Sequence, residues 1–149
     1  MIFKTFLFLI NLILIVMALR GSRRAYVALL LIAVAYFPLS VGFSFKPGVV
    51  DLEINSSLFF VSLKNYRHIV LFAVFYLMTC IQLGDTTWKK LLLAGIITLL
   101  MGIYVEFAQW YTGNGHCRAR DLIPDVVGIL IGLIIQLVKP GIFKFLKCD

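Results

Sequence analysis

Glu106, Asp121 and Asp125 bracket a short loop that carries Arg118 and Arg120, and the residues on either side of this group are almost all apolar. Carboxylates and guanidinium groups brought together in such a setting have three uses. Arginine forks can hold the oxygens of an anionic group such as phosphate, while a carboxylate orients a hydroxyl, amide or ammonium. A desolvated carboxyl can serve as general acid or base. The charges can also neutralise one another and lock two segments together, an arrangement that often adds little net stability. Arg67 and His68 stand before another apolar run and can join the group from a distance in sequence. The candidate binding residues are therefore Arg67, His68, Glu106, Gln109, Arg118, Arg120, Asp121 and Asp125, with Glu106 and Asp125 the candidate acid–base residues. No serine, threonine or cysteine has an evident base beside it, so covalent catalysis has no support. His116 and Cys117, even with His68 and Asp121, lack the spacing and ligand count of a zinc site, and neither a metal nor a cofactor is expected.

The elements that must position these charges are membrane helices. The 149 residues are 62% hydrophobic and 14% charged, with a mean hydropathy of +1.01. In soluble domains about a quarter of residues are charged. The fold class is all-α: a polytopic transmembrane helical bundle forming a single integral membrane domain over residues 1–149, without a linker, low-complexity tract or repeat. Crossing the hydrocarbon core takes about 20 apolar residues, and spans are expected at Met1–Leu19, Ala25–Phe45, Ile69–Leu83, Leu91–Tyr111 and Leu122–Val138. Ser57-Leu58-Phe59-Phe60-Val61 either extends the third span or lies along the interface. The first span resembles a signal peptide, with Lys4 before the apolar stretch and Val16-Met17-Ala18 as a cleavage site. Arg20, Arg23 and Arg24 follow at once, and such a cluster resists export. About five helices are expected, with four as the fallback. Cys80, Cys117 and Cys148 fall in a span, a loop and the tail without C-x-x-C spacing, so no disulfide framework follows.

The net charge of +7 comes from Lys and Arg in short groups between apolar runs, a topology signal rather than a nucleic-acid footprint. One side holds Arg20, Arg23, Arg24, Lys89, Lys90, Lys139, Lys144 and Lys147, and the other Lys4, Lys46, Lys64, Arg67, Arg118 and Arg120. The eight against six makes the first side cytoplasmic and turns the charged loop to the extracytoplasmic face of the inner (plasma) membrane. In the long Lys46–Arg67 connection, Val50, Leu52 and Ile54 alternate with Asp51, Glu53 and Asn55. That period of two predicts a short extended segment, placed over the mouth of the bundle.

On the fourth span Gly95, Gly102, Glu106 and Gln109 share one face, and on the fifth Asp121, Asp125, Gly128 and Gly132 do the same. Small residues let membrane helices approach, and Gly128 to Gly132 is a G-x-x-x-G match, so the two stripes are expected to face each other, with Gly102, Gly128 and Gly132 as packing residues. Glu106 and Asp125 then lie at similar depth, roughly 5 to 8 Å in from the helix ends at 1.5 Å per residue. Asp121 is expected to cap the fifth helix, and the three acids to be matched by Arg67, Arg118 and Arg120.

Glu106-Phe-Ala-Gln109, then Arg118-Ala-Arg120-Asp121-Leu-Ile-Pro-Asp125-Val-Val-Gly128-Ile-Leu-Ile-Gly132, resembles the E-x-x-Q, R, D-x-x-x-[ND]-x-x-G-x-x-x-G signature of VanZ-like membrane proteins, named after the teicoplanin resistance protein. The resemblance covers residues 106–132. It implies a small polytopic cell-envelope protein, in some members linked to reduced susceptibility to glycopeptide antibiotics. The expected partner is a membrane lipid or lipid-linked cell-wall precursor, whose anionic head group binds in an outward-facing pocket. Two alternatives stand beside this reading: an enzyme using Glu106 and Asp125 on such a substrate, and a purely structural membrane subunit.

Overall fold

Three helices are long and apolar enough to cross a membrane: Tyr66–Leu83, Trp88–Thr112 and Ala119–Val138, the last including a short 3-10 turn at its start. They belong to a computed structural model that describes residues 2–36, 49–53, 55–84, 87–113 and 117–138. In chain order, α1 (Ile2–Leu19) is followed by α2 (Arg23–Leu31), which continues as a π-helical turn over Ile32–Tyr36. Then come β1 (Val50–Asp51), α3 (Ser56–Leu63), α4 (Tyr66–Leu83), α5 (Trp88–Thr112), β2 (Cys117–Arg118), the 3-10 turn Ala119–Asp121 and α6 (Leu122–Val138).

The third and fourth expected spans are longer than hydropathy alone marked them, because Tyr66, Arg67, Trp88, Lys89 and Lys90 continue the helices past their apolar stretches. Such flanking residues keep polar tips in water while their stems line apolar surface. The fifth span has the expected bounds. The first is helical as α1, but its apolar part, Thr5–Leu19, is shorter than the other three. Of the second expected span, residues 37–45 lie outside the described residues, as do Lys46, Ile54, Gly115, His116, Lys139, Lys144, Lys147 and Cys148.

The three long helices turn apolar side chains outward. Outward positions of α4, α5 and α6 carry Val70, Leu71, Leu92, Ile96, Leu100, Ile103, Leu130 and Ile134, all exposed. Many inward positions are small or polar: Ala73, Thr79, Ala94, Thr98, Gly102, Asp125, Gly128, Gly132 and Gln136 are buried, beside Phe72, Tyr76, Met78 and Leu91. Lipid tails are as apolar as leucine, so close packing of small residues, not apolar burial, drives such helices together. Thr98 and Thr112 donate their hydroxyls to the Ala94 and Ala108 carbonyls one turn back, at 2.8 and 2.9 Å. Each is thereby satisfied within its own helix.

The α6 glycines correct one expectation. They face α4, not α5: a Cβ added at Gly128 would lie 2.5 Å from the Ile69 carbonyl oxygen and 3.0 Å from the Ala73 nitrogen, and one at Gly132 2.7 Å from Tyr76 Cδ1 and 3.1 Å from the Ala73 carbonyl oxygen. Rising residue numbers on α4 meet rising numbers on α6, so the two run parallel and the G-x-x-x-G step seats the α4 backbone around Ala73. α5 runs antiparallel beside both, and Gly95 has ordinary van der Waals room, its added Cβ lying 3.8 Å from Ile129 Cγ2. The short loop makes α5 and α6 neighbours without deciding which helix receives the glycines.

α1 and α2 form a helical hairpin turned at Gly21, whose φ of 90° suits a residue without Cβ. The hairpin rests on the C-terminal half of α4, where Gln82 Nε2 donates to the Ala18 carbonyl at 2.9 Å and the Tyr26 and Thr79 hydroxyls share a hydrogen bond of 2.9 Å. Tyr104 on α5 donates its hydroxyl to the Val34 carbonyl in the π-helical turn. These contacts gather Arg20, Arg23, Arg24, Lys89 and Lys90 at one end of the bundle and Lys64, Arg67, Arg118 and Arg120 at the other, the grouping expected for these residues.

Candidate functional site

The second end of the bundle is built over the α5–α6 connection. α5 ends at Gly113, which adopts the left-handed conformation (φ 68°, ψ 8°) and turns the chain out of the helix. The chain returns through β2, which pairs in parallel with β1 in the register Val50 to Cys117 and Asp51 to Arg118. The Cys117 N–H donates to the Val49 carbonyl at 3.0 Å. The alternating segment is thus extended where it crosses the connection, but over two residues only. Beyond it the chain forms α3, capped at its start by Asn55, whose side chain accepts the Leu58 N–H at 2.9 Å. α3 rests on the 3-10 turn and on α6, and the turn at Lys64 and Asn65 makes it a separate helix rather than an extension of α4.

The acids find partners other than the expected arginines. Asp125, 1% exposed, lies 2.9 Å from His68 Nδ1 through Oδ1. With Asp125 ionised the carboxylate only accepts, and Nδ1 is then the donor. The His68 ring is stacked on Phe72 at 6.1 Å with 10° between the planes, which fixes its tilt. Room for the carboxylate comes from α5: a Cβ at Gly102 would lie 2.6 Å from Asp125 Oδ2 and 3.2 Å from Phe72 Cε1. The small size of Gly102 thus accommodates Asp125 and Phe72 rather than the α6 glycines.

Glu106, 3% exposed, accepts the Arg118 backbone N–H at 3.1 Å and so ties the returning loop to α5. Among the described residues no arginine forms an ion pair with a carboxylate. His68 joins the group from the third expected span, as its place before that apolar run suggested, whereas a backbone N–H leaves no mark in a residue pattern and the partner of Glu106 could not be read from spacing. Asp121 does not cap α6 with its side chain. At the helix start the Leu122 N–H donates to the Ala119 and Arg120 carbonyls of the preceding 3-10 turn.

The site therefore brings together His68, Glu106, Asp121 and Asp125, close enough for their charges to act on one another. Arg118 and Arg120 are half-buried at the same end, Arg67 is exposed in the first turn of α4, and Gln109 is half-buried on α5. The guanidinium groups have no hydrogen-bond or ion-pair partner among the described residues. Cys117, half-buried beside the loop, has its thiol pushed up in pKa by burial, with the charge of Glu106 adding to the effect. Among the described residues no cluster of His, Cys, Asp and Glu could hold a metal ion. An open concavity of about 430 Å³ is lined by Asn55, Ser56, Phe59 and Phe60 of the α3 region and by none of the charged residues. The chain matches no family model, no curated protein and no solved structure.

Proposed function

We propose that this protein is a five-span inner-membrane protein of the VanZ-like kind that binds the anionic head group of a membrane lipid or lipid-linked cell-wall precursor on the extracytoplasmic side. One observation carries the reading. Glu106 and Asp125 are satisfied by a backbone N–H and a histidine, which leaves the guanidinium groups of Arg67, Arg118 and Arg120 available for phosphate oxygens. An amphiphilic ligand is favoured by α3, which at eight residues reaches only about 12 Å and cannot cross a membrane. It exposes Phe59, Phe60 and Val61 beside the charged end, where acyl chains would lie.

The test is equilibrium binding of dioctanoyl phosphatidic acid, with dioctanoyl phosphatidylcholine as control, to the detergent-solubilised protein. The acidic lipid is expected to bind more tightly, with an affinity that falls as salt rises. A hydrogen bond to a charged group contributes about 1.5–3 kcal/mol. Changing both Arg118 and Arg120 to alanine should therefore weaken binding at least about tenfold. Equal binding of the two lipids, or undiminished binding by the double variant, rejects the site.

The orientation has its own test in Cys117. A membrane-impermeant maleimide is expected to label it in intact cells, slowly at neutral pH and faster as pH rises and the thiolate fraction grows. Cys80 is buried in the bundle and serves as the internal unreactive thiol. Labelling of Cys117 only after permeabilisation would reverse the orientation.

A further inference from the structure

We infer that the His68–Asp125 pair is the catalytic base of a phosphoester hydrolase acting on the terminal phosphate of the bound lipid, an activity that rests on the head-group reading above. A histidine used only to attract phosphate needs no carboxylate behind it. Here a carboxylate is buried to 1% exposure, seated where Gly102 leaves space, and bonded to Nδ1 at 2.9 Å, while the ring lies flat on Phe72. A carboxylate on Nδ1 holds imidazole in the tautomer whose lone pair is on Nε2, and it stabilises the imidazolium formed when Nε2 takes a proton. Among the described residues nothing bonds to Nε2, and the side chain keeps 28% of its surface exposed. The ring is oriented from behind by Asp125 and Phe72.

The chemical class rests on the head-group reading: the charges that act on His68 are those of Asp125, Glu106 and Asp121, and positive charge at the same end comes from Arg67, its neighbour in sequence, and from Arg118 and Arg120 in the loop that Glu106 holds. Three guanidinium groups without a carboxylate partner suit a terminal phosphate monoester, which carries close to two negative charges near neutral pH, better than a singly charged diester. His68, Glu106, Asp121 and Asp125 include no hydroxyl or thiol, and the half-buried Cys117 has its thiol pushed up in pKa, so water is taken as the nucleophile. Nε2 of His68 takes a proton from water as the water oxygen bonds to phosphorus. The bond from phosphorus to the lipid oxygen breaks, and the imidazolium returns its proton to that oxygen. The products are the lipid alcohol and inorganic phosphate, and His68 ends neutral as it began. Arg67, Arg118 and Arg120 offset the charge that develops on the phosphate oxygens. Glu106 is a positioning residue that holds the Arg118 backbone.

The experiment measures both binding and phosphate release with dioctanoyl phosphatidic acid in detergent micelles. The wild-type protein is expected to release inorganic phosphate, with a rate that rises with pH as His68 loses its proton. His68→Gln keeps a side-chain N–H for Asp125, and with it the fold, but has no base at the Nε2 position. It should bind the lipid as before and hydrolyse it about 10²- to 10⁴-fold more slowly. Asp125→Asn keeps an acceptor for Nδ1 and loses only the charge, so its rate should fall between the two. Added imidazole should restore part of the activity of His68→Ala. Wild-type protein that binds the lipid and releases no phosphate overturns the hydrolase while leaving the binding site standing, and so does full activity in His68→Gln. Absence of both binding and release removes the two readings together.

Discussion

Gly128→Ala is expected to cost the protein most of its folded fraction in detergent, whereas Gly95→Ala should leave it unchanged or slightly more stable. The Cβ introduced at position 128 meets backbone on α4, 2.5 Å from the Ile69 oxygen and 3.0 Å from the Ala73 nitrogen, as well as Phe72 Cβ at 3.0 Å. Backbone atoms cannot rotate aside. The two parallel helices must separate, and the His68–Asp125 bond one turn away is pulled open with them. Overpacking typically costs about 1–3 kcal/mol and more where backbone has to move, against a total stability of about 5–15 kcal/mol for a folded domain. At Gly132 the nearest atom is Tyr76 Cδ1 at 2.7 Å, and a ring can swing further than a carbonyl, so Gly132→Ala should fall between the other two. Gly95 meets nothing nearer than 3.8 Å, and alanine gains about 1 kcal/mol over glycine in a helix interior. Thermal unfolding followed by size-exclusion chromatography should rank the variants in that order. A Gly128→Ala protein as stable as Gly95→Ala would remove the close parallel approach of α4 and α6.

How much of this was legible in the sequence depends on what kind of signal each feature leaves. Hydropathy and helical spacing are local, and they marked the core of α4, α5 and α6 and the small stripe of α6, with the bounds Leu122–Val138 agreeing in full. The partner of a stripe is not local. Gly128 and Gly132 mark a face that can be approached closely, but what approaches is the α4 stretch Ile69, Ala73 and Tyr76, which nothing in its own sequence marks as their partner. Proximity in sequence favoured α5, and space favoured α4. The same reasoning applies to the acids. Arg118 and Arg120, near in sequence, were the first expected partners, with Arg67 and His68 joining from the third span, and a long, flexible side chain loses more freedom on pairing than a histidine already held against Phe72. The helix Ser56–Leu63 had a readable start in Asn55-Ser56-Ser57, a capping residue before an apolar run, but the alternation just before it drew the eye to extended structure. Tyr26, Tyr104 and Thr98 gave no sign of their hydrogen bonds, because tyrosine and threonine are ordinary in membrane helices whether or not they bond.

Gly102→Ala and Asp125→Ala should each destabilise the protein, and the double variant should be more stable than the sum of the two losses implies. The single changes act through different physics on one small space. Alanine at 102 drives a Cβ to within 2.6 Å of Asp125 Oδ2, so the carboxylate must leave its seat and lose its alignment with His68. Alanine at 125 removes the carboxylate, leaving the Nδ1 donor of a half-buried histidine without its acceptor and a void against α5. Breaking a fully buried ion pair costs about 3–5 kcal/mol, and because His68 is 28% exposed, water can take over part of the lost bond and the loss should be well below that range. In the double variant the new methyl at 102 occupies part of the space that the carboxylate vacated, and only the Phe72 ring at 3.2 Å still has to shift. Contacting residues commonly show coupling of about 0.5–3 kcal/mol, and a favourable coupling of at least about 1 kcal/mol is expected here. Unfolding midpoints of the four proteins in one detergent measure it. Strict additivity would mean that Gly102 and Asp125 do not share a space. The glycine would then be free to serve helix packing alone, and the buried carboxylate would have to be explained by its histidine only.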